Sequence, residues 1–278
     1  MRIVLVAGNQ PNQKALANKV AAEFELAGVV LEKSAPPVKK ASLEKVLKKL
    51  KDLLFFKRIA DAWKSLMAYY NEKYAAFPAV KTFFTESANS PETFEFIKAL
   101  KPDLIMISGT SLIRKPFFEL NPPKGIVNLH TGLSPYVKGG PNCTNWCLAN
   151  NEFHLIGNTI MWLSVGIDSG NIITTEFVDF TGKEDLNAIH RKVMEDAHAL
   201  YLKALRLIRK DASRVPSIKQ AEITKGALYT NKMWTEDKKR ALLSNIKNGR
   251  FNKVINSEEF KSRRASIKTV PLPAVSGS

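Results

Sequence analysis

The run Val127-Asn128-Leu129-His130-Thr131-Gly132-Leu133-Ser134-Pro135, followed further along by Gly166-Ile167-Asp168-Ser169-Gly170, supplies an amide, an imidazole and a carboxylate. Asn128 and His130 alternate with Val127 and Leu129, so on a strand the polar pair shares one face while the apolar pair anchors the other. An amide and an imidazole side by side can donate to an oxygen that gains charge in a reaction. A carboxylate nearby can raise the imidazole's proton affinity and relay a proton. Each residue also has a structural reading: a core histidine satisfied by backbone, a strand-end cap, and the turn former of Asp-Ser-Gly. Spacing alone leaves both readings open.

The elements that must bring the three together are legible in outline. Arg2 to Ala7 reads as a buried strand, Lys14 to Ala27 as a helix through Leu16, Val20, Phe24 and Ala27, and Val29 to Glu32 as a second strand. Ser42 to Tyr74 is helical throughout and strongly basic. Leu43, Val46, Leu47, Leu50 and Leu54 form one apolar stripe there, and Ile59, Trp63, Leu66, Met67, Tyr70 and Tyr74 another, as in a long helix or a helical hairpin. Ala79 to Phe84 follows as a strand, Pro91 to Leu100 as a helix, and Asp103 to Ser108 and Gly125 to His130 as strands. Thr144 to Asn150 reads as helix, Ile156 to Leu163 and Asn171 to Phe177 as strands joined by the Asp168 turn, Glu184 to Arg209 as a long helix, and Thr235 to Lys247 as helical. The alternation predicts an α/β fold, a doubly wound, mostly parallel sheet with helices on both faces, which binds ligands at the carboxyl ends of its strands. The expected division is a catalytic domain over 1–210 with a basic helical insertion at about 39–75, a small C-terminal extension over 211–270 and a disordered tail over 271–278.

The formal charge of +16 over 278 residues favours anionic partners. The apolar run at the N-terminus is too brief for a signal-peptide core or a membrane span, and a cytoplasmic location is expected. Cys143 and Cys147 are one helical turn apart, with no second Cys or His pair at metal-ligand spacing, so they read as two small buried thiols and no metal is expected. The basic segment reads as a solvated helix face or as a dimer surface carrying Trp63, Tyr70 and Tyr74. Contact with an anionic membrane is the less favoured reading.

Asn-x-His at a strand end, a Leu-x-Pro loop with Lys138-Gly139-Gly140 after it, and an Asp in a Gly-rich turn together resemble the formyltransferases that use 10-formyltetrahydrofolate. The likeness covers most of Arg2 to Phe180 and is dense between Asp103 and Glu176. It implies a Rossmann-like formyltransferase core, no metal, and 10-formyltetrahydrofolate as donor. Asn128, His130 and Asp168 fall on the family's catalytic positions, the first two as oxyanion donors and Asp168 as an aid to proton transfer. It places the donor's pterin against Leu112, Ile113 and Arg114 and against Leu163, Gly166 and Ile167. It places the acceptor near Asn9, Gln10, Asn12, Lys138 and Gly139. Leu112 and Ile113 read equally as ordinary core residues, and Arg114 as solvent-facing.

The acceptor is argued from a departure. Gly8-Asn9-Gln10-Pro11-Asn12 resembles the phosphate loop of glycinamide ribonucleotide formyltransferases, but Gln10 and Pro11 replace its second Gly and its Ser, and Pro11 has no amide hydrogen to offer an anion. The resemblance therefore implies an amine on a nucleotide-linked sugar, of the kind used in bacterial surface-polysaccharide synthesis. Formyltetrahydrofolate hydrolysis, formylation of methionyl-tRNA, and a basic anion-binding protein on the same scaffold are the alternatives. Nucleic acid is the less expected partner, and a homodimer is compatible with the sequence.

Overall fold

The computed structural model describes residues 1–33 and 50–273. In β1 (Arg2–Gly8), Ile3, Leu5 and Ala7 enter the core on one face of the sheet, and Val4 and Val6 enter it on the other. A strand apolar on both faces must be covered on both and belongs in the middle of a sheet. β1 accordingly pairs in parallel with β2 (Glu25–Glu32) and with β4 (Leu104–Ser108). With β3 (Lys81–Thr85), β5 (Ile126–His130), β7 (Gly157–Trp162) and β8 (Ile172–Phe177), they form a seven-stranded sheet in the order β3-β2-β1-β4-β5-β7-β8. The first five are mutually parallel; β7 and β8 run antiparallel to their neighbours, and the short turn between them needs no crossover.

Helices α1 (Pro11–Ala21) and α5 (Leu186–Lys210) cover one face through Leu16, Val20, Leu200, Tyr201 and Leu205. Helix α3 (Pro91–Leu100) covers the other through Ile97 and Leu100. The expected doubly wound, mostly parallel sheet is thus what the chain forms. The Tyr201 hydroxyl donates to the Val127 carbonyl at 2.8 Å, tying α5 to the strand that carries Asn128 and His130. Helix α2 (Lys57–Lys73) lies outside α1 and α5, where Leu66 and Tyr70 pack with Ala15 and Met194. No helix among the described residues is long and apolar enough to cross a membrane.

Several expected boundaries shift. The helix expected to reach Ala27 ends at Ala21, and β2 begins at Glu25, because Leu26 pairs with Ile3 and packs with Phe24 into the core beneath the sheet. Pairing with β1 overrides a helical stripe that continued through Phe24. The helical reading of Ser42 to Tyr74 is broken at Phe56, whose φ of −122° and ψ of 15° separate α2 from a helical stretch over 50–55. Its first part, with Leu43, Val46 and Leu47, lies outside the described residues, as does 274–278 of the expected tail. Tyr70 belongs to no dimer surface: it is fully buried, its ring 5.6 Å from that of His198.

The segment after Lys210 enters the core of the preceding fold. β9 (Ala227–Tyr229) pairs with β6 (Val137–Gly139), on the loop beyond His130. Helix α6 (Glu236–Lys247) lies against α4 (Cys143–Asn150), and Leu242, Phe251, Ile255 and Phe260 bury with Cys143, Trp146 and Phe153. Trp146 stacks on Tyr229 with ring centroids 4.3 Å apart and meets Trp234 edge-on. Leu272, in the expected tail, packs against the sheet core.

Candidate functional site

Asn128 and His130 project from the carboxyl end of β5, while Val127 and Leu129 enter the core on the opposite face. Asp168 sits in the turn between β7 and β8 with a φ of 45°, beside Gly166 at 121°. Gln220 Nε2 pins that turn by donating to the carbonyls of Asp168 and Gly170 at 2.7 and 2.8 Å. The Asp168 carboxylate meets His130 Nδ1 at 3.3 Å through one oxygen and accepts the Gly139 amide at 2.9 Å through the other. On the far side of the ring, His130 Nε2 lies 3.2 Å from the Val137 carbonyl and 3.4 Å from Cys143 Sγ.

Both ring nitrogens therefore face acceptors, an arrangement that suits the imidazolium, which carries a proton on each. Burial opposes that charge most strongly, but the Asp168 carboxylate, together with Cys143 and the Val137 carbonyl, outweighs it and raises His130 to about 10. A ring in this state has no lone pair with which to take a proton. It can donate one, and the neighbouring carboxylate remains the group able to accept. The Asn128 amide has no hydrogen-bond partner among the described residues and borders the adjoining cavity.

Gly132 shows how closely the loop passes over the ring. A Cβ there would lie 2.4 Å from His130 Nε2 and 2.8 Å from Cys143 Sγ, and the ring is held at both nitrogens. Gly132→Ala is expected to lower turnover roughly tenfold or more by displacing the imidazole. Gly140→Ala, whose added carbon would meet nothing nearer than Asn231 Oδ1 at 3.8 Å, is the control. Steady-state turnover of the two variants checks this, and equal rates would count against such a displacement.

Two cavities meet at His130. The first, about 440 Å³, lies at the carboxyl ends of β1, β4 and β5, where the strand order reverses between β1 and β4. Its lining includes Asn128, His130 and Asp168. It also includes Leu112, Ile113, Leu163, Gly166 and Ile167 of the expected donor set, and Gln10, Asn12 and Gly139 of the expected acceptor set. Leu112 and Ile167 are half exposed, and the buried Asn12 Oδ1 and Gln13 Oε1 have no hydrogen-bond partner among the described residues. Apolar side chains with unpaired acceptors suit a flat, amide-bearing heterocycle such as a pterin. Arg114, Asn9 and Lys138 line neither cavity: the Arg114 amide is held by Asn89 Oδ1 at 2.7 Å while its side chain stays outside, and Asn9 is exposed.

The second cavity, about 690 Å³, lies between the 52–64 segment, the start of α4, and the C-terminal residues Trp234 and Lys239. Trp63 and Met194 border both cavities. Sequence reasoning missed this cavity, and with it Cys143 as a neighbour of His130. The apolar spacing of Trp63 in α2 was visible, but nothing local joins it to Trp234. Among the described residues no group of three or more His, Cys, Asp or Glu side chains gathers to hold a metal ion.

The model of the formyl transferase family matches residues 1–205, and the chain belongs to that family. It is similar to the methionyl-tRNA formyltransferase of Trichlorobacter lovleyi, 35% identical over 107 residues covering 38% of this chain and 33% of that protein. It is also similar to that of Kosmotoga olearia, 29% identical over 178 residues covering 63% and 54%. The chain thus spans about a third to a half of the curated relatives it matches. Among solved structures, phosphoribosylglycinamide formyltransferase from Anaplasma phagocytophilum has a TM-score of 0.53 at 16% identity, over 76% of this chain and 88% of that one. A likely sugar N-formyltransferase from Mycobacterium tuberculosis has 0.52 at 17%, over 84% and 76%. These similarities are of fold.

Proposed function

We propose that the protein moves a formyl group from 10-formyltetrahydrofolate to the amine of a nucleotide-linked amino sugar. The observation that carries this reading is the His130–Asp168 pair at the junction of two cavities, 3.3 Å apart, beside an Asn128 side-chain amide with no hydrogen-bond partner among the described residues. The donor occupies the first cavity with its formyl carbon near His130. The acceptor amine approaches from the second and attacks that carbon. His130 Nε2 and the Asn128 amide donate to the oxygen as it becomes negative, and the Asp168 carboxylate receives the amine proton, directly or through one water. The carbon–nitrogen bond to the folate then breaks, and that nitrogen leaves with a proton.

The sugar-nucleotide assignment rests on the second cavity. Trp63 and Trp234 offer aromatic surfaces for a base, and Lys64 offers positive charge for phosphates, while Lys57 and Lys239 are held by Asp61 and Asp52. Pro11 opens α1 without an amide hydrogen, so the loop after β1 is a poor phosphate cradle. A methionyl-tRNA acceptor is the second reading, favoured by the names of the curated relatives and the net charge of +16.

Protein incubated with 10-formyltetrahydrofolate alone should release little tetrahydrofolate, and addition of a nucleotide-linked amino sugar should start release with stoichiometric formamide product. Release without any acceptor would replace transfer by hydrolysis. Formylation of methionyl-tRNA but of no amino sugar would replace the acceptor.

A further inference from the structure

Cys143 opens α4 and reaches the edge of the imidazole that Asp168 does not hold. Its sulfur lies 3.4 Å from His130 Nε2, 3.5 Å from the Gly139 carbonyl and 3.8 Å from the Val137 carbonyl. The thiol is buried, at the His130 end of the second cavity.

The Val137 carbonyl explains why a single-donor side chain belongs there. The preceding carbonyl, of Tyr136, accepts from the Ala227 amide at 3.0 Å, and carbonyls alternate in direction along a strand. The Val137 carbonyl consequently points away from β9 and at the His130 ring, with Nε2 at 3.2 Å. If Nε2 is to donate to a substrate oxygen, as the reading above requires, it must loosen its hold on this carbonyl. A buried carbonyl stripped of its partner opposes that movement.

We propose that Cys143 is a positioning residue: as His130 turns its Nε2–H to the substrate oxygen, the Cys143 S–H turns from the Gly139 carbonyl to the Val137 carbonyl and takes its place. No bond to sulfur forms or breaks, and the thiol keeps its proton. The loop conformation that holds Asp168 through the Gly139 amide is thereby kept while the imidazole changes partner.

The proposal rests on the assignment of His130, so the test has a part that needs no turnover. In steady-state assays Cys143→Ala should lower kcat roughly tenfold with the donor KM within about twofold, and Cys143→Ser, which retains one donor, should stay within about threefold of the parent. In ligand-free protein, nitrogen-resolved NMR titration should show the His130 midpoint lower in Cys143→Ala than in the parent, because a hydrogen-bonding neighbour that favours the imidazolium is gone. Parental kcat in the alanine variant would overturn the proposal. So would a serine variant no better than alanine when both melt like the parent. Identical NMR midpoints would overturn the contact itself. Absence of turnover by the parent with every acceptor would instead strike the proposed function, and the titration would still read the contact.

Discussion

Asp168→Asn is expected to lower kcat on the order of a hundred- to a thousandfold, with the pH profile changed in a specified direction. The carboxylate contacts His130 Nδ1 at 3.3 Å and is the strongest of the influences that raise the ring to about 10. An asparagine oxygen can still accept the Gly139 amide, so the turn has a means of keeping its place. Without the charge, burial prevails and the ring gives up its proton at lower pH. Turnover in the parent should therefore persist until the pH approaches about 10, whereas in the variant the alkaline fall should begin well below that. The stability side has the same sign. The folded midpoint lies above the ordinary 6.5, so the contribution to folding is complete below 6.5 and disappears as the pH rises through about 10. Tetrahydrofolate release and urea unfolding across this range check both, and an unchanged alkaline limb in the variant would remove Asp168 from the mechanism.

Trp146→Ala should be the most destabilising of the substitutions considered, by about 3–5 kcal/mol in urea unfolding. Trp146 is 1% exposed, lies between Tyr229 at 4.3 Å and Trp234 at 4.9 Å between ring centroids, and donates from Nε1 to the Gly140 carbonyl at 3.1 Å. Truncation leaves a large cavity where α4 meets the C-terminal segment and leaves that carbonyl without its donor. The effect should reach the site, because Tyr229 belongs to β9 and β9 pairs with the strand carrying the Val137 carbonyl and the Gly139 amide. Hydrogen exchange over residues 137–140 and 227–229 should accelerate, and turnover should fall with it. A loss below about 1 kcal/mol would mean that the site collapses around the missing ring. Trp146→Phe, which retains a stacking surface, should recover much of the stability and lose chiefly the bond to Gly140.

Features fixed within a few neighbouring residues could be read from the chain. Helix α3 has its expected limits, Pro91 and Leu100, because Ser90 caps it through the Thr93 amide and Pro91 occupies its first turn. The two faces of β5 follow from strict alternation. The start of β2 did not follow, because the helical spacing of Phe24 and Ala27 was locally as good as a strand and only pairing with Ile3 decided it. The second cavity was still less accessible. Asp52 and Lys239 meet at 2.5 Å across 187 residues of sequence, a juxtaposition that no local period encodes. Cys143 looked like a spare buried thiol because its nearest polar neighbour, His130, approaches from another element.

By itself the sequence determined the alternating elements, and hence the parallel core, and it placed an amide and an imidazole on one strand face with a carboxylate in a turn. Periodicity and turn chemistry act over a few residues and leave a direct trace in the chain. Only the tertiary structure decided the ionisation of His130, since the Asp168 carboxylate, the Val137 carbonyl and the Cys143 sulfur come from three different segments, and burial sets how strongly each is felt. It also decided that the C-terminal segment closes one wall of the second cavity, because packing across long sequence separations is settled by shape and exclusion of water rather than by the order of residues.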